Sequence, residues 1–422
     1  MGPSAARANQ PSSVRRAISI GLVALTTLTG CDQATGGRAG DAGGPVILES
    51  NAVHVFGTSE SIAVVEDLEV LTDGTVWVLN SVEPFFIGFG SDGNVVHEHG
   101  SRGGGPEEFR APVGFVSGGV DGDAWVLDAI RHALIRISDP EGPWSEILIP
   151  RDSLPPGSIM SGQGFMSNRV RTARMGDEIV LPRGSGSIQT GIFAWFLSVW
   201  GADLIAVDGE TASARTVVSL GGAMGDPTEY LEQTNGFPPF PVWRRLWAVC
   251  SDSEVRFHDR FRNQVRVFAS AGTELDPIPL PPPHFSEVTN QQFARAVFAL
   301  SFAEAAGQVG AEGSAADTSR VFNEMIQGVE GDPDQLAGFL PRYVDMRCDD
   351  DGAVWMQPVD LDLWDMAGSS TWLRISPDGV TQEVELPARF DPYRFTGGRI
   401  WGVQRDDFDV ASVAWIALPS AR

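Results

Sequence analysis

Lysine is absent from this chain of 422 residues, so all 30 of its permanently cationic side chains are arginines. Aspartate and glutamate number 55, which gives a net charge of −25 and argues against binding to nucleic acid or to an anionic membrane surface. Cysteine is scarce, with three residues in all, and the chain has no CxxC pair, P-loop, GxSxG elbow or Ser-His-Asp order. The lack of these motifs favours a binding protein over an enzyme.

Long apolar runs are also missing. The most apolar N-terminal run, residues 17–28, is too short to span a bilayer. The chain is instead rich in turn formers, with 48 glycines and 28 prolines, which indicates many tight turns and few long helices.

The N-terminus has the features of a targeting segment. Residues 1–16 contain three arginines and no acid, and the apolar run 17–28 has the length of a signal-peptide core. It ends in Leu28-Thr29-Gly30-Cys31, which resembles a bacterial lipobox, where a peptidase cleaves before a cysteine that receives lipid. The alternative is a plain secretory signal with a chance cysteine.

The lipobox resemblance implies a division of the first 45 residues. Residues 1–30 would be a lipoprotein signal peptide, and Cys31 would be the lipidated N-terminus of the mature protein. Residues 31–45, which are rich in Gly and Ala, would form a flexible tether. We therefore expect a protein held in the bacterial cell envelope, facing the periplasm or the exterior, with the lipid as its only membrane contact.

The rest of the chain contains six copies of one four-strand unit. The second strand of each copy is short, β-branched or aromatic, and bounded by Gly or Asp. These strands are predicted at 75–80, 123–128, 178–183, 254–259, 353–358 and 399–404. Trp77 and Trp125 share one register 48 residues apart, and Trp355 and Trp401 share it 46 residues apart. Such periods match one four-stranded propeller blade.

The sixth copy has only three strands before the chain ends. A strand from 46–56 can pair with 412–418 and supply the fourth, which closes a ring and removes exposed sheet edges. The prediction is an all-β, six-bladed β-propeller over residues 46–420, with an N-terminal strand closing the last blade. A small helical insertion, at about 286–330, is predicted between blades 4 and 5, on the evidence of a capping box and an apolar helical face.

Two segments resemble a known family of repeats. The run from Gly100 to Pro112, GSRGGGPEEFRAP, is similar to the blade junction of NHL-type repeats, and so is the pattern D-x-x-x-H-x-L-I-x-I-S from Asp128 to Ser138. The whole mature chain is similar to the uncharacterised six-bladed propeller lipoproteins of environmental bacteria. This resemblance implies the fold and brings no assigned activity.

Arginines recur where the chain enters the innermost strand of five of the six predicted blades. Long blade-to-blade loops lie on one face of the predicted ring, and function concentrates on long loops held by a rigid scaffold. A ring of guanidinium groups at that mouth would bind a carboxylate, phosphate or sulfate, whereas the alternative is solvated arginines paired with surface acids. The candidate ligand-binding residues are Arg110, Arg169, Arg244, Arg342 and Arg389.

A divalent-cation site is the basis of an alternative function. Asn80, Asp128 and Asp259 end second strands at the same mouth and have the oxygen ligands that a cation such as Ca²⁺ prefers, as in a metal-dependent lactonase, lyase or hydrolase. Capping of turns is the simpler interpretation of these residues, and no cofactor is predicted. His97 and His99 project from one strand face, but a third ligand is not evident.

We therefore predict a monomeric ligand- or protein-binding scaffold whose partner is a small anionic ligand or another protein. Cys250 and Cys348 occupy one register in neighbouring blades. Equivalent atoms in adjacent blades tend to lie too far apart for a bridge, so we expect two buried free thiols, although the compartment would permit a disulfide.

Overall fold

The computed structural model describes ten stretches of the chain between residues 45 and 419. They are 45–118, 123–128, 130–137, 144–149, 172–183, 203–219, 246–259, 262–281, 343–358 and 368–419. Within them the regular structure is β-strand apart from one short 3-10 helix, so the predicted all-β class is confirmed there. The predicted signal peptide, the tether up to residue 44 and the helical insertion lie outside the described residues. No helix in these stretches is long and apolar enough to cross a membrane.

Two short strands open the described chain. They are β1 (Val46–Ile47) and β2 (His54–Gly57), with the 3-10 helix Ser50–Ala52 between them. Neither forms a hairpin with its neighbour, and both pair with strands near the C-terminal end of the chain.

The first complete sheet is an antiparallel meander of four consecutive strands. They are β3 (Val65–Val70), β4 (Val76–Asn80), β5 (Phe86–Phe89) and β6 (Val95–His99). The tight turns that join β3 to β4 and β5 to β6 place Gly74 at φ +87° and Gly93 at φ +79°, where a side chain would be strained. A two-residue parallel pair follows, β7 (Ser101–Arg102) with β8 (Glu108–Phe109).

Eight strands form the next sheet, which consists of two four-stranded meanders side by side. The first has β9 (Pro112–Ser117), β10 (Trp125–Asp128), β11 (Ala133–Arg136) and β12 (Ser145–Leu148). The second has β13 (Thr172–Met175), β14 (Glu178–Arg183), β15 (Asp203–Asp208) and β16 (Ala214–Ser219). A short parallel pairing of β9 with β13 joins them, with Thr172 opposite Val116.

Two further meanders follow in chain order. One has β17 (Trp247–Ser251), β18 (Glu254–Asp259), β19 (Gln264–Ala269) and β20 (Glu274–Pro279). The other has β21 (Tyr343–Cys348), β22 (Val354–Pro358), β23 (Ser370–Ile375) and β24 (Thr381–Leu386). Strand β1 extends the latter sheet by pairing in parallel with β24, with Val46 opposite Val384.

The last sheet joins the two ends of the described chain. It contains β25 (Phe390–Thr396), β26 (Arg399–Arg405) and β27 (Ala411–Ala417). Strand β2 is its fourth member and runs antiparallel to β27, with His54 opposite Trp415 and Val55 opposite Ala414. The pairing predicted between the N-terminal segment and residues 412–418 is therefore present.

The first strand of each meander lies against the first strand of the next. Strands β3, β9, β13, β17, β21 and β25 contact one another in that order, and β25 in turn contacts β3. We call these six the inner strands. The small sheets are thus arranged like the blades of a propeller around the inner strands.

Apolar side chains fill the spaces between neighbouring sheets. Trp77 and Phe86 of the first sheet pack with Phe115 and Val126 of the next, and Trp401 packs with Val78 on the other side. The four tryptophans that share a register, including Trp125 and Trp355, are all buried, and none exposes more than 8% of its surface. Their predicted burial between sheets is confirmed, and burial of this size is the main source of stability in such a fold.

The two cysteines of the described chain form a disulfide, which corrects the expectation of two free thiols. Cys250 at the end of β17 is bonded to Cys348 at the end of β21, and their Cα atoms lie 5.1 Å apart. That distance is within the usual range for a disulfide. The expectation failed because it took the typical separation of adjacent blades, whereas the inner strands β17 and β21 converge and are in contact.

Candidate functional site

A cavity of about 80 Å³ lies where the inner strands converge. We call it the axial cavity. Each of the six inner strands contributes to its wall, and its polar lining comes from Asp67, Ser117, Thr172, Arg347 and Arg394. The remaining wall is formed by aromatic and small apolar residues, together with Cys348 of the disulfide. Convergence of several polar side chains on one cavity is a feature of small-molecule sites.

A largely buried cluster of three charged side chains includes two residues of this wall, Asp67 and Arg394. The Nε of Arg394 on β25 donates to Glu69 Oε2 at 2.6 Å, and its Nη2 donates to Asp67 Oδ2 at 3.1 Å. The two acids belong to β3 and expose 5% or less of their surface. One guanidinium therefore pairs with two carboxylates. With both acids ionised, the cluster has a net charge of −1.

The acids also accept hydrogen bonds from backbone N–H groups in β9 and just after it. Asp67 Oδ2 accepts a hydrogen bond from the backbone N–H of Phe115 on β9 at 2.8 Å, and Asp67 Oδ1 accepts one from Leu68 N at 2.9 Å. Glu69 Oε1 accepts a longer bond, 3.3 Å, from the N–H of Gly118. Asp67 thus provides a partner for the N–H of Phe115, a buried backbone group that would be costly to leave unpaired.

Other hydrogen bonds join the inner strands around the cavity. The hydroxyl of Tyr393 on β25 donates to the carbonyl of Val65 on β3 at 2.9 Å. The hydroxyl of Thr172 on β13 donates to the carbonyl of Phe115 on β9 at 3.0 Å. Together with the disulfide between β17 and β21, these bonds make the cavity wall a rigid, pre-formed surface.

Burial changes the proton affinity of the cluster. Loss of solvation raises the pKa of Glu69 from 4.5 to about 7, against the opposing effect of Arg394. Burial alone would lower the pKa of Arg394, but the charges of Asp67 and Glu69 raise it, so this guanidinium stays protonated. Glu69 is therefore a carboxyl group that can exchange a proton near neutral pH.

The inner strand β21 repeats part of this arrangement. Asp345 and Arg347 stand at the positions that Asp67 and Glu69 occupy on β3, because each pair follows an irregular step in the strand pairing. The carboxylate of Asp345 lies 3.1 Å from Arg347 Nη2. Arg347 and Arg394 thus bring two guanidinium groups to the wall of one small cavity.

The predicted arginine set lies mostly outside the described residues. Arg169, Arg244 and Arg342 are in that category, so their part in a ligand site stays a prediction. Arg110 follows β8 and is exposed at the surface. Arg389 lies before β25, where Nη1 donates to the backbone carbonyl of Asp406 and Nη2 is 3.7 Å from Asp407 Oδ1. At Arg389 the geometry is that of a surface ion pair.

The three residues considered for a divalent cation have other partners. Asn80 Oδ1 accepts from the N–H groups of Ala63 and Val64, at 3.1 and 3.2 Å. Asp128 accepts from the backbone N–H groups of Arg110, Ala111 and Arg131. Asp259 accepts from the N–H of Arg262 at 3.1 Å. These bonds support the interpretation of all three as turn caps.

The two histidines of β6 pack against aromatic rings. His97 stacks on Trp77 with ring centroids 5.5 Å apart, and His99 lies 5.0 Å from the ring of Trp144. Burial, followed by the nearby His97, lowers the pKa of His99 to about 4, so this imidazole is neutral at physiological pH. Within the ten described stretches, no group of three or more His, Cys, Asp or Glu side chains is placed to hold a metal ion.

Comparison with known proteins gives the fold and nothing more. No protein-family model and no curated protein sequence matches the chain. Its structure is similar to that of a member of the DUF4221 family from Bacteroides vulgatus, with a TM-score of 0.51 and 8% identity, over 86% of this chain and 97% of the other. It also aligns with a gluconolactonase from Xanthomonas campestris, with a TM-score of 0.42 and 11% identity, over 90% and 96%. A virginiamycin B lyase from Staphylococcus aureus aligns with a TM-score of 0.38 and 11% identity, over 88% and 89%. Its structural neighbours are therefore β-propeller-like proteins, and identities this low say nothing about activity.

The axial cluster was not predicted, although the sequence contains a signal for it. A polar residue stands eight positions before three of the aligned tryptophans, namely Glu69, Ser117 and Arg347, and Arg394 stands seven before the fourth. Charged residues in the middle of a short, otherwise apolar strand are rare because burying an unpaired charge is costly. That register, read across the copies, would have pointed to a polar axis.

Proposed function

We propose that this protein is a six-bladed β-propeller that acts as a ligand-binding module, with the axial cavity as its ligand site. The observation that supports this role is the convergence of all six inner strands on one cavity with buried charged side chains. A group that is held rigidly by several strands loses little entropy when it binds a ligand.

The six-bladed assignment is part of this proposal. It is supported by the closed order of contacts among the inner strands and by the completion of the last sheet by β2. The parallel pairing of β9 with β13 merges two meanders into one sheet, and we count these as separate blades. The helical insertion at 286–330 and the NHL-like character of the repeats belong to the same proposal.

We further propose that the module is tethered to the bacterial cell envelope through lipid on Cys31 and works outside the cytoplasm. The support for this location is the arginine-rich N-terminus, the short apolar run and the Leu-Thr-Gly-Cys motif. Strand β1 begins at Val46, so the intervening residues are available as a tether. The module would then present its ligand site, as a monomer, to the periplasm or the exterior.

A variant that fills the axial cavity tests the binding role. Ala248 lines the cavity, and Ala248→Leu would place a larger side chain in it. A library of small organic acids, amines and sugars is screened by thermal shift, and stabilising compounds are titrated against both proteins. We expect at least one compound to stabilise the wild type and to lose at least tenfold in affinity in the variant.

The matched control is Ser145→Leu, a small-to-large change on the exposed outer strand β12. It should leave binding unchanged. If every stabilising compound binds Ala248→Leu as tightly as the wild type, the axial cavity is not the ligand site and the proposal fails.

A further inference from the structure

The guanidinium donors at the axial cavity and the small volume of that cavity indicate a class of ligand. We infer that the axial cavity binds one small anion, a carboxylate or oxyanion of a few atoms, and that Glu69 takes up a proton as the anion binds. This inference rests on the proposed role of the cavity as a ligand site and specifies what that site recognises.

The hydrogen-bond donors of Arg394 are the first feature that favours an anion. A guanidinium has five N–H donors. Nε donates to Glu69, Nη1 to the Tyr393 carbonyl and Nη2 to Asp67 Oδ2, and Nη1 also lies 3.1 Å from Asp67 Oδ1 in an ion pair. These contacts use four donors, so one Nη2 N–H remains among the contacts of the described chain. A donor on a largely buried guanidinium that lines the cavity is a suitable partner for an anionic oxygen.

The net charge of the cluster couples anion binding to proton uptake. With both acids ionised, the Asp67–Glu69–Arg394 cluster has one negative charge in excess and repels an anion at close range. One proton on the cluster removes that excess. Anion entry and proton uptake therefore favour each other, and the pair adds no net charge to a buried site.

Glu69 is the carboxylate of the cluster that takes up the proton. Asp67 accepts two backbone hydrogen bonds, both shorter than 3.0 Å, in addition to its contacts with Arg394. Among the described residues, Glu69 accepts one backbone bond, the 3.3 Å bond from Gly118, besides its contact with Arg394. Among the described residues that line the cavity, the remaining charged group is Arg347 on β21, which pairs with Asp345. On β4, the residue opposite Glu69 is the uncharged Trp77. Glu69 is therefore the least compensated carboxylate, in agreement with its raised pKa.

The volume of the axial cavity limits the size of the anion. A water molecule occupies about 30 Å³ of the liquid, so a cavity of about 80 Å³ has room for only a few water-sized groups. A formate or similarly small anion fits this space, whereas a sugar or a nucleotide is too large. Large ligands of the same charge would be confined to the mouth.

Isothermal titration calorimetry with tetramethylammonium formate tests the inference on the full chain with Cys31→Ser. The tetramethylammonium salt excludes small metal cations as the bound species. Titrations at pH 6, 7 and 8 are run in two zwitterionic buffers with different enthalpies of ionisation. We expect formate affinity to fall about tenfold between pH 6 and pH 8, because binding requires the protonated form of a group with a pKa near 7. The difference in heat between the two buffers should show uptake of close to one proton at pH 8.

Two variants make the assignment specific. Glu69→Gln imitates the protonated carboxyl, so it should keep formate binding and lose both the pH dependence and the proton uptake. Glu274→Gln, at an exposed glutamate paired with Arg266, should behave like the wild type. If Glu69→Gln does not fold, the buffer comparison on the wild type still decides whether a proton is taken up.

The outcomes separate this inference from the proposed function. Formate binding with no proton uptake and constant affinity overturns the proton coupling and leaves the ligand site in place. Absence of formate binding at all three pH values, while another compound binds the wild type and not Ala248→Leu, overturns the anion class alone. The proposed function itself fails only if no compound binds the wild type more tightly than it binds Ala248→Leu.

Discussion

Reduction of the Cys250–Cys348 disulfide should destabilise the protein strongly. The bond joins two inner strands and closes a loop between residues 98 positions apart in sequence. In the chain-entropy treatment, a loop of about 100 residues gives about 4.7 kcal/mol, and measured values for disulfides are typically about 2–4 kcal/mol. We therefore expect the Cys250→Ala/Cys348→Ala variant to lose between about 2 and 5 kcal/mol of unfolding free energy.

Urea unfolding followed by tryptophan fluorescence measures this loss. Cys31→Ser is present in every sample, so that no third thiol can exchange with the bond. Wild type treated with dithiothreitol should unfold at the same lower urea concentration as the double alanine variant, and the variant itself should not respond to dithiothreitol. The reasoning would be refuted if dithiothreitol left the wild-type midpoint unchanged and two thiols reacted with Ellman's reagent in non-reducing denaturant.

Three other predictions follow from the same observations. Cys31→Ser should abolish lipidation, and unchanged partitioning of this variant into detergent, compared with the wild type, would contradict the lipobox interpretation. Trp355→Ala should cost about 3–5 kcal/mol in urea unfolding, because Trp355 is fully buried, whereas Trp355→Phe should lose mainly the 2.9 Å bond from Nε1 to Asp349, at about 1–3 kcal/mol. Relative to Glu69→Gln, the wild type should lose roughly 3 kcal/mol of stability as pH rises from 4.5 to 7, because the folded state releases the Glu69 proton at higher pH than the unfolded state.

The sequence was most informative about strands whose pattern is local. The predicted second strands at 178–183 and 254–259 coincide with β14 and β18, and 75–80 and 353–358 differ from β4 and β22 by one residue. Alternation of apolar residues between Gly and Asp turns determines these strands without help from distant parts of the chain. The shared register of the tryptophans likewise predicted their burial.

Features that depend on contacts between sheets were harder to predict. The disulfide depends on how closely β17 and β21 approach, which no spacing in the sequence reveals. The axial cluster joins Asp67 and Glu69 to Arg394, more than 300 residues away in sequence. The candidate ligand-binding arginines were predicted on exposed loops, because functional residues are often found on loops. The buried arginines of β21 and β25 were overlooked because charged residues in strands are usually taken as solvent-facing.

The pairing of β2 with β27 has a consequence for the order in which the protein can be completed. His54 and Trp415 are direct neighbours in the last sheet, yet 361 residues separate them in the chain. During synthesis β2 emerges early and has no partner until nearly all the rest has been made. A strand edge that stays unpaired during synthesis favours aggregation, because it can form hydrogen bonds with strands of other chains. Loss of the final 12 residues would remove all of β27 and leave β2 permanently without its partner, so a short C-terminal truncation would damage the N-terminal end of the fold as well.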